Sequence, residues 1–313
     1  MLGKTASGLY WMFRYLERAE NTARLIETGF RIALTRGKGA DHEWSSVLQT
    51  ASANDAYERL YGEPEQARIV DFLLRDPANP SSVLSCIMAA RQNARMVRTA
   101  LTKEVWEAVN ETYIMLRKRL ARPVPDKDIP EVLDLIRNRC ALVQGAMHGT
   151  MLRNDMFDFA RIGTFLERAD STARILDVKY FVLLPSVNFI GSSLDNVQWE
   201  TVLRSVAGDR AYSWLNEGEP SPMGIASFLI FDRRMPRSLR FSVSKVRTNM
   251  GYLMQQYDVR HQSHDLAEGL FAQLDNGSIE LVFEYGLHDF LSGLVNDFAA
   301  LSKQIETDFR FEA

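Results

Sequence analysis

The chain has 313 residues, a net charge of −3 at neutral pH and two cysteines, Cys86 and Cys140. A chain of this length can bury a large core without disulfides, and its mildly acidic balance gives no electrostatic signature of nucleic-acid binding. The N-terminus carries charges every few residues, and no segment approaches the roughly 18 uncharged apolar residues of a membrane span, so we expect neither a secretory signal nor a transmembrane helix. These features predict a cytoplasmic protein with free thiols that binds neither nucleic acid nor membrane.

A long helix is predicted first, from about Ser7 to the break at Gly37, because glycine favours the left-handed turn that closes a helix. Short helices follow it, and Asn79 as N-cap with Pro80 in the first turn is expected to begin the next long helix. The proline-rich segment 122–130 is the clearest linker in the chain.

After this linker, a helix is predicted over about 131–152 and a second long helix over about 154–185. Two further helices are expected to close the chain, over about 263–274 and 278–309. Since almost no segment alternates with the period of two that is typical of strands, the sequence predicts an all-α fold.

The two long helices carry an internal repeat. Residues 15–27, YLERAENTARLIE, return as residues 165–177, FLERADSTARILD, with seven of thirteen positions identical. Weaker parallels follow in the same order, and they pair Trp44 with Trp199, Tyr57 with Tyr212, Phe72 with Phe228, and Ser82 with Ser238. We therefore predict a duplicated helical bundle, with tandem repeats of approximately 6–121 and 155–275 packed about a pseudo-two-fold axis in one intertwined domain, 1–313. Two independent bundles joined at the linker are the alternative.

Each copy of the repeat places a charged stripe beside an apolar seam, at helical spacing. The stripe shared by the two copies consists of Glu17, Glu20 and Arg24 in the first and Glu167, Asp170 and Arg174 in the second. Arg18 and Arg168 instead fall among apolar neighbours, and a buried guanidinium needs a carboxylate or a bound anion. The cluster is therefore either a buried ion-pair network that joins the repeats or a site for an anionic ligand or a partner carboxylate.

A second basic cluster lies on another predicted helix. Arg91, Asn93 and Arg95 share this helix, and the first two recur as Arg247 and Asn249. A ladder of like charges is unfavourable unless something acidic lies opposite. The acidic stripe of the repeat is the simplest partner, and a phosphate or carboxylate site is the alternative.

Catalytic and metal roles have weaker support in the sequence. Glu17, Glu167 and His148 are the candidate acid–base residues, but a neighbouring arginine lowers the pKa of a glutamate while burial raises it, and the sequence does not decide which effect is larger. Paired carboxylates occur without the Glu-x-x-His motifs of di-metal bundles, and no nucleotide-binding loop is visible. We therefore expect no metal and no cofactor.

The strings LYWMFRYLERAENTARLI and FLERADSTARILDVKYFVLLP resemble the Alpha-E family, a bacterial all-helical family named for its Glu-Arg motif, and the resemblance covers essentially the whole chain. Genes of that family typically lie beside genes for a circularly permuted ATP-grasp ligase and a transglutaminase-like peptidase. The resemblance implies an accessory or binding component of an amide- or peptide-forming pathway, whose Glu/Arg cluster binds an anionic ligand or a partner carboxylate. Two alternatives stay open: an enzyme of amide-bond formation or transfer with a Glu as general base, and a structural homo-oligomer.

Overall fold

The computed structural model of the protein describes residue 1 and residues 3–36, 41–182, 193–216 and 220–312. Over these residues the chain forms α-helices, two short 3-10 helices and turns, with no strand, so the all-α prediction is confirmed. The α-helices are α1 (Gly3–Arg36), α2 (Asp41–Thr50), α3 (Asn54–Tyr61), α4 (Gln66–Leu74), α5 (Val83–Met96), α6 (Lys103–Arg119), α7 (Ile129–Thr150), α8 (Asp155–Val182), α9 (Ser193–Ser205), α10 (Asp209–Leu215), α11 (Pro222–Phe231), α12 (Leu239–Tyr257), α13 (Gln262–Asn276), α14 (Ile279–Tyr285) and α15 (Leu287–Asp308).

Most predicted helices occur close to their expected positions, with differences at the ends. Helix α1 begins four residues earlier than Ser7, whereas Gly37 and Pro185, the predicted ends of the two long helices, lie outside the described residues. The single closing helix predicted over 278–309 is wrong, because Gly286 has a φ of 107° and separates α14 from α15. A positive φ interrupts helical geometry, and glycine adopts it without steric cost.

The N-cap predicted for α5 is also wrong. The cap is Ser82, whose Oγ accepts a hydrogen bond from the backbone N–H of Ser85 at 3.3 Å. Asn79 lies in the preceding turn, where its Oδ1 accepts from the N–H of Ser81 at 2.9 Å and its Nδ2 donates to the carbonyl oxygen of Phe72 at 3.1 Å. Asn79 therefore fixes the turn between α4 and α5 rather than the helix itself.

Helices α1 and α8 lie against each other and connect two apolar cores. One core contains side chains of α2 to α7 and most of the buried face of α1, and the other contains side chains of α9 to α15 and most of the buried face of α8. The N-terminal part of each helix packs in the other helix's core. Leu9 and Tyr10 of α1 belong to the second core, whereas Phe157 and Ala160 of α8 belong to the first. Helices α5 and α7 pack on α1, and α12 and α15 pack on α8.

A helix that crosses a bilayer must be both long and predominantly apolar. Among the described helices, none combines the length and the apolar composition needed to cross a bilayer.

Helices α1 and α8 pack closely together at Gly163. A Cβ atom added there would overlap with the backbone carbonyl of Tyr10. Because backbone atoms cannot move aside as a side chain does, we expect Gly163→Ala to lower the free energy of unfolding by about 2 to 3 kcal/mol. Chemical denaturation measures this loss.

Two other helical glycines provide matched controls for this substitution. A Cβ atom at Gly145 or Gly149 of α7 would meet nothing within 4 Å. Alanine is the better helix former, so these substitutions should leave stability unchanged or raise it by up to about 1 kcal/mol. Equal effects at Gly163 and Gly145 would show that α1 and α8 do not approach as closely as described.

Candidate functional site

The two Glu-Arg segments meet where α1 faces α8, and they exchange ion pairs. Arg18 donates from Nε to Oε1 of Glu167 at 2.6 Å and from Nη2 to Oε2 at 3.0 Å. Arg168 donates to Glu17 in the same way, with both distances 2.8 Å. Two parallel N–H···O bonds are the strongest form of this contact. Each arginine predicted to need a carboxylate therefore finds it in the other copy of the repeat.

A second arginine completes the partners of each glutamate. Arg14 donates from Nε to Oε2 of Glu167 at 2.7 Å. Arg237, which immediately precedes the N-cap of α12, donates from Nη1 to Oε1 of Glu17 at 3.2 Å and from Nη2 to Glu20 at 2.5 Å. Neither arginine was among the predicted site residues, because neither has an arginine at the matching position of the other copy.

The glutamates remain ionised although they are buried. Burial alone would raise the pKa of Glu17, but the charges of Arg168 and Arg237 outweigh it and bring the pKa to about 2. Burial likewise opposes ionisation of Glu167, and the guanidinium groups of Arg14 and Arg18 lower its pKa nevertheless. A general base works best when its pKa lies near the working pH, so these carboxylates are poorly suited to that role.

The remaining repeat residues form ion pairs within their own helices. Arg24 donates to Glu20 at 2.8 Å, and Arg174 donates to Asp170 at 2.8 Å. Arg174 also donates from Nη1 to the Oγ of Ser52 at 2.5 Å, which ties α8 to the turn after α2. All eight predicted residues of the repeat therefore form ion pairs at the α1–α8 interface, either between the two helices or within one of them.

A cavity of about 240 Å³ opens beside this network, between α1, α8 and the turn that precedes α5. Its charged walls are Arg18, Glu167, Asp170 and Arg174, and its uncharged polar walls include Asn21 and Ser81. The cavity contains both hydrogen-bond donors and acceptors, and it is smaller than a typical site for a drug-sized ligand. It is therefore suited to a small polar molecule.

The predicted residues of α5 make local contacts away from this cavity. Arg91 donates to the side chain of Asn110 on α6 at 2.8 Å and stacks over the ring of Tyr113. Asn93 donates to a backbone carbonyl of its own helix, and Arg95 is exposed. Arg91 therefore pairs with an amide of α6 and not with the acidic stripe of the repeat that we expected.

The matching residues of α12 behave similarly. Arg247 donates to Glu268 of α13 at 2.5 Å, and Asn249 donates to the carbonyl oxygen of Lys245 at 2.6 Å. Neither residue is among the described side chains that line the cavity. The sequence parallel between Arg91-x-Asn93 and Arg247-x-Asn249 therefore corresponds to similar packing: each arginine contacts the α-helix that follows, and each asparagine bonds to its own helix.

His148 lies near the end of α7, where Nη1 of Arg161 approaches its Nε2 at 2.9 Å. Burial lowers the pKa of the imidazole, and the positive charges of Arg161 and Arg153 lower it further. The ring is therefore neutral at physiological pH and accepts the hydrogen bond from Arg161. His148 does not line the cavity beside the two glutamates.

Asp158, in the first turn of α8, takes up a proton at a higher pH than an ordinary aspartate does. Burial, together with the nearby carboxylate of Asp155, raises its pKa from 3.8 to about 6. A raised pKa means that the folded state gains stability below pH 4 and loses it as the pH rises through 6. We therefore expect Asp158→Asn to stabilise the protein by about 1 to 3 kcal/mol at pH 7 and to have no effect near pH 3. Urea unfolding of both proteins at the two pH values measures this, and equal stabilities at pH 7 would refute it.

The two cysteines are free and buried, as predicted. Burial raises the pKa of Cys86 to about 12 and raises that of Cys140 well above its ordinary value. Thiols in this state are not nucleophilic at neutral pH. The cysteines therefore contribute to packing.

Metal binding has no visible basis in the described residues. Within them, no group of three or more His, Cys, Asp or Glu side chains could hold a metal ion. The central carboxylates bind arginines instead, and a cation would have to displace those arginines.

Comparison with known proteins agrees with the motif at this interface. An uncharacterized protein of Mycobacterium bovis and one of Mycobacterium tuberculosis are each 22% identical to the chain over 265 residues, which cover 79% of this chain but only 29% of either relative. No solved structure matches the chain. The family model described as a predicted alpha-helical domain with a conserved ER motif matches residues 1–309. The chain therefore belongs to the Alpha-E family.

Proposed function

We propose that the protein is a binding component, and not the catalyst, of a bacterial pathway that forms or processes amide or peptide bonds. In this proposal it works with a circularly permuted ATP-grasp ligase and a transglutaminase-like peptidase. Its Glu/Arg cluster lines a cavity that binds a small anionic ligand. The observation that carries the proposal is that each central glutamate is ion-paired with two arginines.

This pairing argues for binding over catalysis. The pKa of Glu17 is about 2, so this carboxylate has little affinity for a proton near neutral pH. The cavity walls, in contrast, offer charged and polar groups whose positions are fixed by ion pairs on α1 and α8. Fixed donors favour binding because little ordering is needed when a ligand arrives.

We also infer that the chain is a duplicated bundle with a pseudo-two-fold axis through the α1–α8 interface, forming one intertwined domain. The reciprocal ion pairs support this, since an axis relating the two segments exchanges them. The turns after α2 and α9 also share a left-handed residue, with φ of 52° at Ser52 and 53° at Ala207. The packing of α7 on α1 and of α15 on α8 extends the inferred repeats beyond the boundaries that the sequence suggested.

Co-expression with a tagged, circularly permuted ATP-grasp ligase from the same genome tests the functional proposal. We expect the chain to co-purify with the ligase and to raise its rate of amide formation from amino acid and ATP. Absence of both effects would contradict the proposal. Amide formation or transfer by the chain alone, abolished by Glu17→Gln in a folded protein, would favour the enzyme alternative.

A purely structural role is the second candidate, because the central glutamates and arginines already pair with one another without a ligand. A variant in which Arg14, Arg18 and Glu167 are all replaced by methionine distinguishes the two, because these residues form one ion-paired group and Arg18 and Glu167 line the cavity. Replacing a buried ionic cluster by apolar side chains is often tolerated, so the variant should fold. A structural role of the cluster leaves the increase in the rate of the ligase intact in this variant, whereas the proposed function predicts that the increase is lost.

A further inference from the structure

The cavity beside Arg18 lies in the first half of the inferred repeat. At the corresponding position of the second half, the space is filled by the side chain of Arg237. In the second half, the backbone carbonyl of Arg237 accepts a hydrogen bond from Thr172 of α8 at 3.0 Å, and the guanidinium reaches across to Glu17 and Glu20 of α1. Its Nη1 also donates to the Oδ1 of Asn21 at 2.8 Å. Arg237 therefore fills the space between the helices on that side.

The matching residue in the first half is small. The segment Pro80-Ser81-Ser82 aligns with Pro236-Arg237-Ser238, so Ser81 stands where the other half has Arg237. The cavity is lined by Ser81 and by Thr22, Glu167 and Asp170, which match Thr172, Glu17 and Glu20. Because serine is smaller than arginine, the space that the Arg237 side chain fills in the second half is open beside Ser81 in the first half.

Two side chains that line the cavity have a hydrogen-bond donor with no partner among the described residues. Arg18 uses Nε and Nη2 to bind Glu167, and its Nη1 makes no hydrogen bond to any described residue. Asn21 is only 5% exposed, and its Nδ2 is among the few buried side-chain atoms of the described residues that have no partner. Because Arg237 donates to Oδ1, the amide orientation is fixed and Nδ2 remains a donor. An unpaired buried donor is costly, so an acceptor in the cavity would be stabilised.

The cavity also has a hydrogen-bond acceptor in its wall, the carboxylate of Asp170. Asp170 receives hydrogen bonds from one arginine, Arg174, whereas the matching Glu20 receives them from both Arg24 and Arg237. A carboxylate can accept more than two hydrogen bonds, so Asp170 has capacity for a further donor. A ligand that fits both sides carries an anionic acceptor and a donor.

We propose that this cavity binds a small α-amino acid, with its carboxylate on Arg18 and Asn21 and its ammonium group on Asp170. The inference rests on the proposed function, since an amide-forming pathway needs such a substrate. The cavity volume of about 240 Å³ limits the ligand to a metabolite of amino-acid size. Among the described residues, Arg237 occupies the position that corresponds to Ser81 in the other half, so its guanidinium stands where the ligand would bind.

Calorimetry on the full chain tests this inference, with the standard α-amino acids as probes, each compared with its C-terminal amide. We expect at least one amino acid to bind and its amide to bind at least about 10-fold more weakly, because the amide leaves the donors without an anionic partner. Failure of every amino acid to bind would overturn the inference. Equal binding of acid and amide would overturn it as well.

Replacing Ser81 by a larger side chain, including the arginine found at the matching position 237, tests whether the amino acid binds in this cavity. Ser81→Gln and Ser81→Arg should remove binding, because each side chain fills the space that Arg237 fills elsewhere. Ser213 is exposed on α10, and Ser213→Gln and Ser213→Arg are matched controls that should bind as the wild type does. Unchanged binding in a folded Ser81→Gln protein would place the ligand elsewhere and contradict the inference.

A crystal structure with the bound amino acid decides the matter if neither Ser81 variant folds. Density for the ligand between Arg18 and Asp170 supports the inference, and density elsewhere refutes it. These experiments need no partner protein. Absence of amino-acid binding therefore overturns this inference alone, whereas the proposed role beside a ligase is tested separately by co-purification.

Discussion

Glu17→Gln should lower the free energy of unfolding by about 3 to 5 kcal/mol, among the largest losses expected from a single substitution in this chain. The side chain of Glu17 is fully buried, and its carboxylate neutralises Arg168 and Arg237, whose side chains are only 14% and 10% exposed. Glutamine keeps the size but removes the charge, and it replaces one acceptor oxygen by an NH2 group that cannot accept a hydrogen bond from arginine. Both guanidinium groups then remain buried without their shared counterion, which is the costly outcome.

Two comparisons separate this effect from a general sensitivity to losing a carboxylate. Glu200→Gln removes the same group from an exposed pair with Arg204, and it should cost no more than about 0.5 kcal/mol. A variant with methionine at positions 17, 168 and 237 should recover most of the stability lost in Glu17→Gln, because no charge is then left unpaired. Guanidinium chloride unfolding of the four proteins measures all of these values. Similar losses for Glu17→Gln and Glu200→Gln would contradict the account.

Acid should unfold the protein through the same glutamates. The pKa of Glu17 falls from an ordinary 4.5 to about 2 on folding, and that of Glu167 falls in the same direction. A lowered pKa contributes stability above pH 4.5 that is lost as the pH falls toward 2. For Glu17 this contribution is about 3 kcal/mol. We therefore expect a steep loss of stability between these pH values.

Glu17→Gln is also the matched control for the acid effect. Since glutamine does not titrate, the difference in stability between wild type and variant should shrink as the pH falls from 4.5 to 2. Asp158 acts in the opposite direction and at higher pH, with its pKa raised to about 6 by burial and by Asp155, so the two contributions separate along the pH axis. Urea unfolding followed by circular dichroism across this range tests the prediction. A constant difference between the two proteins would show that Glu17 is not held ionised by its arginines.

The sequence was informative about helices and about the main residues of the interface. Helical periodicity predicted the helices because each buries one apolar face, and periodicity depends only on that face. The repeat identified Glu17, Arg18, Glu167 and Arg168 because both copies use them in the same way. Arginines among apolar neighbours predicted that a carboxylate or a bound anion lies nearby, and the structure places a carboxylate against each of them.

Other parts of the site could not be predicted, because they depend on differences between the copies. Arg14 has a threonine at the matching position and Arg237 has a serine, so comparison of the repeats excluded both. Arg91 showed the opposite error: it has a match in Arg247, yet its partner is an amide on α6 that no spacing rule identifies. The break at Gly286 was missed because the flanking residues continue the helical pattern on both sides.

Glu17 and Arg168, which are 151 positions apart in sequence, form a buried ion pair across the α1–α8 interface, and the site as a whole depends on this pair. A double-mutant cycle with Glu17→Gln, Arg168→Met and the combined variant measures their coupling free energy directly. We expect a favourable coupling of about 1 to 3 kcal/mol, because the second substitution removes the charge that the first leaves unpaired. Additive effects, with a coupling below about 0.3 kcal/mol, would show that the two side chains do not interact.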